Sequence, residues 1–86
     1  DILAVDKVTK DYVVIELKRN QTSDDTIGQV TRYMGWVLEN LENENVRGII
    51  VAGKFDDKLF HAQKVMKNVE VFLYEVNFRL NEYKKN

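Results

Sequence analysis

The stretch that decides the reading of this chain is Tyr12-Val13-Val14-Ile15-Glu16-Leu17-Lys18, a β-branched apolar run that closes on a carboxylate and an ammonium two residues apart. Side chains of a strand alternate between its two faces. Tyr12, Val14, Glu16 and Lys18 therefore share one stripe, while Val13, Ile15 and Leu17 form the other, the one expected to be buried. Charges at the end of a strand apolar enough for a core are costly unless something compensates them. A divalent cation is one compensation, because it takes carboxylate oxygens, and a lysine beside it can stabilise charge developing on a phosphate. The plainer alternative is a solvated strand end with an incidental ion pair.

Working outward, Ile2-Leu3-Ala4-Val5 is a second short apolar run, separated from Tyr12 by the polar, turn-like segment Asp6 to Asp11. The two runs read as a hairpin or as neighbouring strands, with Asp6 as a turn residue. Gln21 to Asp25 is a loop ending in helix N-cap residues. A helix is predicted from about Asp25 to about Glu42, with Ile27, Val30, Met34, Val37, Leu38 and Leu41 at three and four spacing as its core stripe. Val46 to Gly53 is nearly all apolar, as expected of a strand covered on both faces. A second helix starts near Phe55-Asp56-Asp57 and carries Leu59, Ala62, Val65 and Met66. Val69 to about Leu80 alternates like a strand, with a possible break near Glu75. The order strand, strand, helix, strand, helix, strand predicts an α/β domain with a mixed sheet flanked by helices.

The chain has 86 residues, 44% of them apolar, with a net charge of −1 and neither cysteine nor proline. It makes one small domain, burying only about 60% of its unfolded surface. With no thiol there is no disulfide framework and no thiolate zinc site, which fits a reducing compartment. No signal peptide is apparent, and no apolar run approaches the ~20 residues of a membrane span. The expectation is a soluble, cytoplasmic chain that does not engage a membrane. Near-neutral charge gives no bulk attraction to nucleic acid, although acidic metal ligands cancel basic residues in such a sum and the local sign matters more. The absence of a glycine-rich phosphate loop argues against a nucleotide hydrolase. Because it opens on Asp1 inside an apolar run, the chain is expected to be part of a longer protein.

If the first two strands pair, Asp1 can lie beside Glu16 on one face. Two carboxylates at one edge repel unless a cation lies between them or one is protonated. Mg²⁺ or Mn²⁺ suits them, with the Leu17 carbonyl as a possible third ligand and Lys18 placed to orient a water or stabilise transition-state charge. On the following helix Gln29, Tyr33 and Trp36 stand at i, i+4 and i+7, forming a stripe beside the core stripe. An amide and a phenol there could hold the lysine, a water or a phosphate. Trp36 reads as a packing residue or part of a covered surface rather than a base-stacking platform. His61, the sole histidine, reads as a surface residue. Arg19, immediately after Lys18, is the best candidate for a phosphate contact.

Three segments, Asp1-Ile2-Leu3-Ala4, Val14-Ile15-Glu16-Leu17-Lys18-Arg19 and Ile27-Gly28-Gln29-Val30-Thr31-Arg32-Tyr33, together resemble the PD-(D/E)xK nuclease superfamily. The resemblance is strongest to its endonuclease NucS-type and RecB-type branch, which carries a Gln-x-x-x-Tyr motif on the helix. It covers the first 40 residues or so by motif and the remainder by layout. It implies a restriction-endonuclease-like fold, lacking here its first helix and strand, and Mg²⁺- or Mn²⁺-dependent phosphodiester cleavage in DNA, single-stranded or structured rather than a specific duplex site. Asp1 and Glu16 would be metal ligands, Lys18 the catalytic lysine, and Gln29 and Tyr33 supporting residues. The whole chain, 1–86, would be one nuclease-like catalytic core domain, with a homodimer or a further domain completing it. The alternative is a catalytically inactive module of the same fold that binds nucleic acid or serves protein assembly.

Overall fold

In the computed structural model, residues 2–21, 24–41, 45–54 and 56–84 are described. They form β1 (Ile2–Val5), β2 (Tyr12–Gln21), α1 (Asp24–Asn40), β3 (Val46–Lys54), α2 (Asp57–Val65) and β4 (Val69–Leu73). The sheet runs β1-β2-β3-β4. β1 is antiparallel to β2, whereas β3 and β4 continue parallel to it. The mixed α/β sheet expected from the sequence is therefore what the chain forms.

The β1–β2 turn closes on Asp6. Its Oδ1 accepts from the backbone N–H of Val8 at 2.8 Å and of Thr9 at 3.1 Å. Lys10 takes φ 69° so that the chain can reverse. Across the sheet, Arg47 on β3 reaches Asp6 at 2.6 Å and Asp11 at 3.4 Å. The N–H donors of Thr9 and Val8, joined by the Arg47 guanidinium, hold the Asp6 carboxyl below its ordinary value. Asp6 is thus the turn residue the sequence suggests, tied in addition to the third strand.

Both crossovers, β2-α1-β3 and β3-α2-β4, step the same way along the sheet, so right-handed connections place both helices on one face. The register sets the side chains of that face: Tyr12, Val14 and Glu16 on β2, Val46, Gly48, Ile50 and Ala52 on β3, and Val69 and Val71 on β4. Val14, Val46, Ile50 and Val69 join Val30 and Val37 of α1 and Leu59 of α2 in the core. The expected facing of β2 is met only in part: Val13 of the stripe expected inside is buried, but the helices lie on the other stripe. The helices cover the Val14–Glu16 stripe, and Leu17, assigned to the buried stripe, is 58% exposed. β3 is likewise covered on one face only, its alternate residues Arg47, Ile49, Val51 and Gly53 being half-buried. The opposite face leaves Ile2, Leu17 and Phe72 about half exposed.

Other boundaries also differ. β2 continues past Lys18 to Gln21. In α1 Leu38 turns outward, while Thr26 is buried. Asp56 caps α2 by accepting from the N–H of Lys58 and Leu59, and Val65 is exposed. β4 ends at Leu73, and residues 74–84 carry no regular structure, so the alternation through Val76, Phe78 and Leu80 has no sheet partner among the described residues. Alternation reports an intention to pair, and a strand forms only where a neighbour offers its backbone.

Gly48 lets α1 approach the sheet. A Cβ there would stand 2.8 Å from the Met34 sulfur and 2.9 Å from Val30 Cγ1. Overpacking of this kind costs about 1–3 kcal/mol, so Gly48→Ala is expected to lower the thermal midpoint by roughly 5 °C or more. A melt with an unchanged midpoint would contradict the close approach.

Candidate active site at the end of the second strand

On the helix-covered face of β2, two residues beyond Val14, Glu16 is only 7% exposed, at the border of the core. Lys18, two residues on and on the same face, brings its Nζ to 3.5 Å from Glu16 Oε1. The other oxygen, Oε2, is buried with no hydrogen-bond partner among the described residues. A buried carboxylate oxygen left in this state costs free energy, on the order of 1–3 kcal/mol or more for a charged group. An oxygen-seeking cation is one kind of partner that would remove the cost; among the described residues Glu16 offers it a single carboxylate.

The backbone around the pair is shaped with care. β1 pairs with β2 only as far as Ile2–Ile15, so the β1-side edge of Glu16 to Lys18 is open among the described residues. The β2–β3 register shifts between Lys18 and Gln21, an irregularity that re-aims the chain right after the lysine. Gly53 of β3 lies so close that a Cβ there would be in severe overlap with the Arg19 carbonyl oxygen, and it would also meet the Tyr74 hydroxyl at 2.9 Å. Tyr74 reaches across that gap, and its hydroxyl donates to the Arg19 carbonyl at 2.9 Å. Gly53 and Tyr74 thus hold the end of β2 from the open face. Neither stands out by motif. Gly53 reads as a strand end, and Tyr74 falls in the strand-like run from Val69 to about Leu80, next to its possible break near Glu75.

On α1, Gln29 is exposed, Tyr33 is half-buried against the core, and Trp36 is 51% exposed. The Tyr33 and Trp36 rings lie 5.9 Å apart at 46°. These three residues and Arg32 line one open groove of about 570 Å³. The expected stripe beside the core stripe is therefore real, and Trp36 is less a packing residue than a half-open ledge. No hydrogen bond among the described residues joins Gln29 or Tyr33 to Glu16 or Lys18.

Of the remaining expected site residues, Arg19 is exposed and contributes its carbonyl to the Tyr74 contact. Leu17 lies in the β2–β3 ladder opposite Val51, with its side chain on the open face. Asp1, expected beside Glu16, lies outside the described residues. Among those residues no cluster of three or more His, Cys, Asp or Glu could hold a metal. His61 is exposed next to Phe60, as a surface residue would be. No helix among the described residues is long and apolar enough to cross a membrane.

No curated protein and no solved structure matches the chain. One protein-family profile does, over residues 1–85, which takes in Glu16, Lys18 and the α1 groove alike: it is the Endonuclease NucS C-terminal domain, and the chain belongs to that family.

Proposed function

We propose that this domain is the catalytic core of a divalent-metal-dependent DNA endonuclease, with Glu16 and Asp1 as metal ligands and Lys18 as the catalytic lysine. The observation that carries the reading is the buried, unpartnered Oε2 of Glu16 beside the Lys18 ammonium. Membership of an endonuclease family agrees with it. Asp1 is the second carboxylate of this reading, next in sequence to Ile2 of β1, the strand that pairs antiparallel with β2. The Leu17 carbonyl is the third candidate ligand. Mg²⁺ or Mn²⁺ held by these residues would supply Lewis-acid chemistry to a water and to the phosphodiester.

The chain's own residues do the rest. Glu16 fixes the site, because α1 and the sheet hold its side chain in one place. Lys18 keeps about a third of its side chain in contact with solvent, so its ammonium can meet a phosphate oxygen as negative charge develops. Arg19, one residue on and exposed, contacts a neighbouring phosphate and positions the strand. Gln29 and Tyr33 orient water and phosphate from the helix side.

A DNA-cleavage assay in Mg²⁺ or Mn²⁺ tests the reading. Removing one preorganised transition-state donor costs about 10²–10³ in rate, so Lys18→Ala is expected to lose that much and Glu16→Gln to lose cleavage altogether. Variants that cut as fast as the parent chain would rule the mechanism out.

A second reading, assembly, is favoured by the stretch after β4. Val76, Phe78 and Leu80 are 73%, 82% and 89% exposed, and the uncovered sheet face offers Ile2, Leu17 and Phe72. An exposed apolar ridge and an exposed apolar face on one chain are self-complementary, so two copies can each lay the ridge on the other's sheet. Light scattering against concentration should give a dimer mass for the chain and a monomer mass for Phe78→Asp. A parent chain that stays monomeric throughout would dismiss the exchange.

A further inference from the structure

The groove on α1 contains more than Gln29 and Tyr33. Gly28, Arg32 and Trp36 recur every four residues and so lie in one row along the helix. The Arg32 guanidinium is folded back over Gly28: a Cβ at that glycine would meet Nη1 at 3.0 Å and Cζ at 3.8 Å. Helical side chains lean toward the N-terminus, and the missing side chain at Gly28 gives this one room to lie down. The guanidinium is thereby directed toward the start of α1, the end that follows the Glu16–Lys18 strand. One turn further on, Trp36 presents half its surface to solvent, tilted against Tyr33. Among the described residues no carboxylate lines the groove, which is a broad depression open to solvent.

Arg32 and Trp36, one helical turn apart along α1, offer a planar cation and an open indole, the chemistry that recognises the two parts of a nucleotide. Guanidinium binds phosphate with a bidentate fork, and indole stacks on a base. In a duplex the base faces are occupied by their neighbours, so only an unpaired or extruded base can offer one. We propose that this groove is a nucleotide subsite that takes one unpaired nucleotide of the bound strand, its base stacked on Trp36 and its phosphate on Arg32. The assignment rests on the nuclease reading for the polymer concerned, and it adds to that reading a stacking residue and a phosphate anchor outside the Glu16–Lys18 pair.

Trp36 is the only tryptophan in the chain, so its fluorescence reports the groove alone. The experiment titrates the chain in EDTA, where no metal takes part, with a short oligothymidylate and with a blunt duplex of equal length. The oligothymidylate is expected to quench Trp36 saturably, and the duplex to quench it weakly. Arg32→Ala, and Gly28→Leu, which displaces the guanidinium without touching the indole, should each weaken binding of the oligothymidylate about tenfold. Loss of one stacking contact, in Trp36→Ala followed by anisotropy of a labelled oligothymidylate, should also cost about tenfold or more. Absence of quenching, equal quenching by duplex, or an Arg32→Ala protein that binds like the parent would overturn the subsite. Glu16→Ala separates the two readings. Quenching retained in that variant leaves the subsite standing whatever the cleavage assay gives, and cleavage by a parent chain that shows no quenching overturns the subsite alone.

Discussion

Everything at the candidate site depends on one burial: α1 packs down on the β2 stripe that ends in Glu16. The same packing that encloses Val14 and Val30 in the core takes a carboxylate most of the way out of water. One of its oxygens finds the Lys18 ammonium, and the other finds no donor among the described residues. A fold selected for stability alone would have placed an aliphatic side chain there, since replacing buried charge by a well-packed apolar group is often neutral or stabilising. On the proposed reading, that carboxylate is a cost carried for chemistry, which a bound cation would offset.

Two glycines let the surrounding structure accept that arrangement. Gly48 lets the helix come down on the sheet beside Val14, two residues before Glu16, because its missing side chain is the space Met34 and Val30 use. Gly53 brings the end of β2 and the Tyr74 ring together on the other face, where the Tyr74 hydroxyl fixes the Arg19 carbonyl. One glycine acts on the helix-covered face and the other on the open face. Between them they hold the stretch from Glu16 to Arg19, where the ladder register also shifts.

Much of this was legible in the residues. The period-two run into Glu16 and Lys18, the helical spacing from Ile27 to Leu41, and the apolar run of Val46 to Gly53 specify the element order, because each is a local pattern. The facing of β2 was not legible. Val13, Ile15 and Leu17 are wholly apolar while the other stripe carries Glu16 and Lys18, so composition points to the wrong face; the direction of the crossovers decides which stripe the helices cover, and it is the one with the charges. The end of β4 was hidden for a related reason, since Val76, Phe78 and Leu80 alternate like a strand but pairing is a property of the partner. The pairing of Glu16 with Lys18 followed from strand alternation alone. The roles of Gly53 and Tyr74, which meet Arg19 from far along the chain, leave no local trace.

The central claim is that the unpartnered oxygen of Glu16 is a cation ligand, and its most direct test is thermal melting with and without Mn²⁺. A cation bound to the folded chain at 100 times its dissociation constant adds about 2.7 kcal/mol, which for a domain of this size raises the midpoint by roughly 10–20 °C. That rise is expected for the parent chain and none for Glu16→Leu, which in EDTA should melt no lower than the parent because it no longer buries a half-compensated charge. A midpoint that ignores Mn²⁺ in the parent chain, or rises equally in Glu16→Leu, would contradict it.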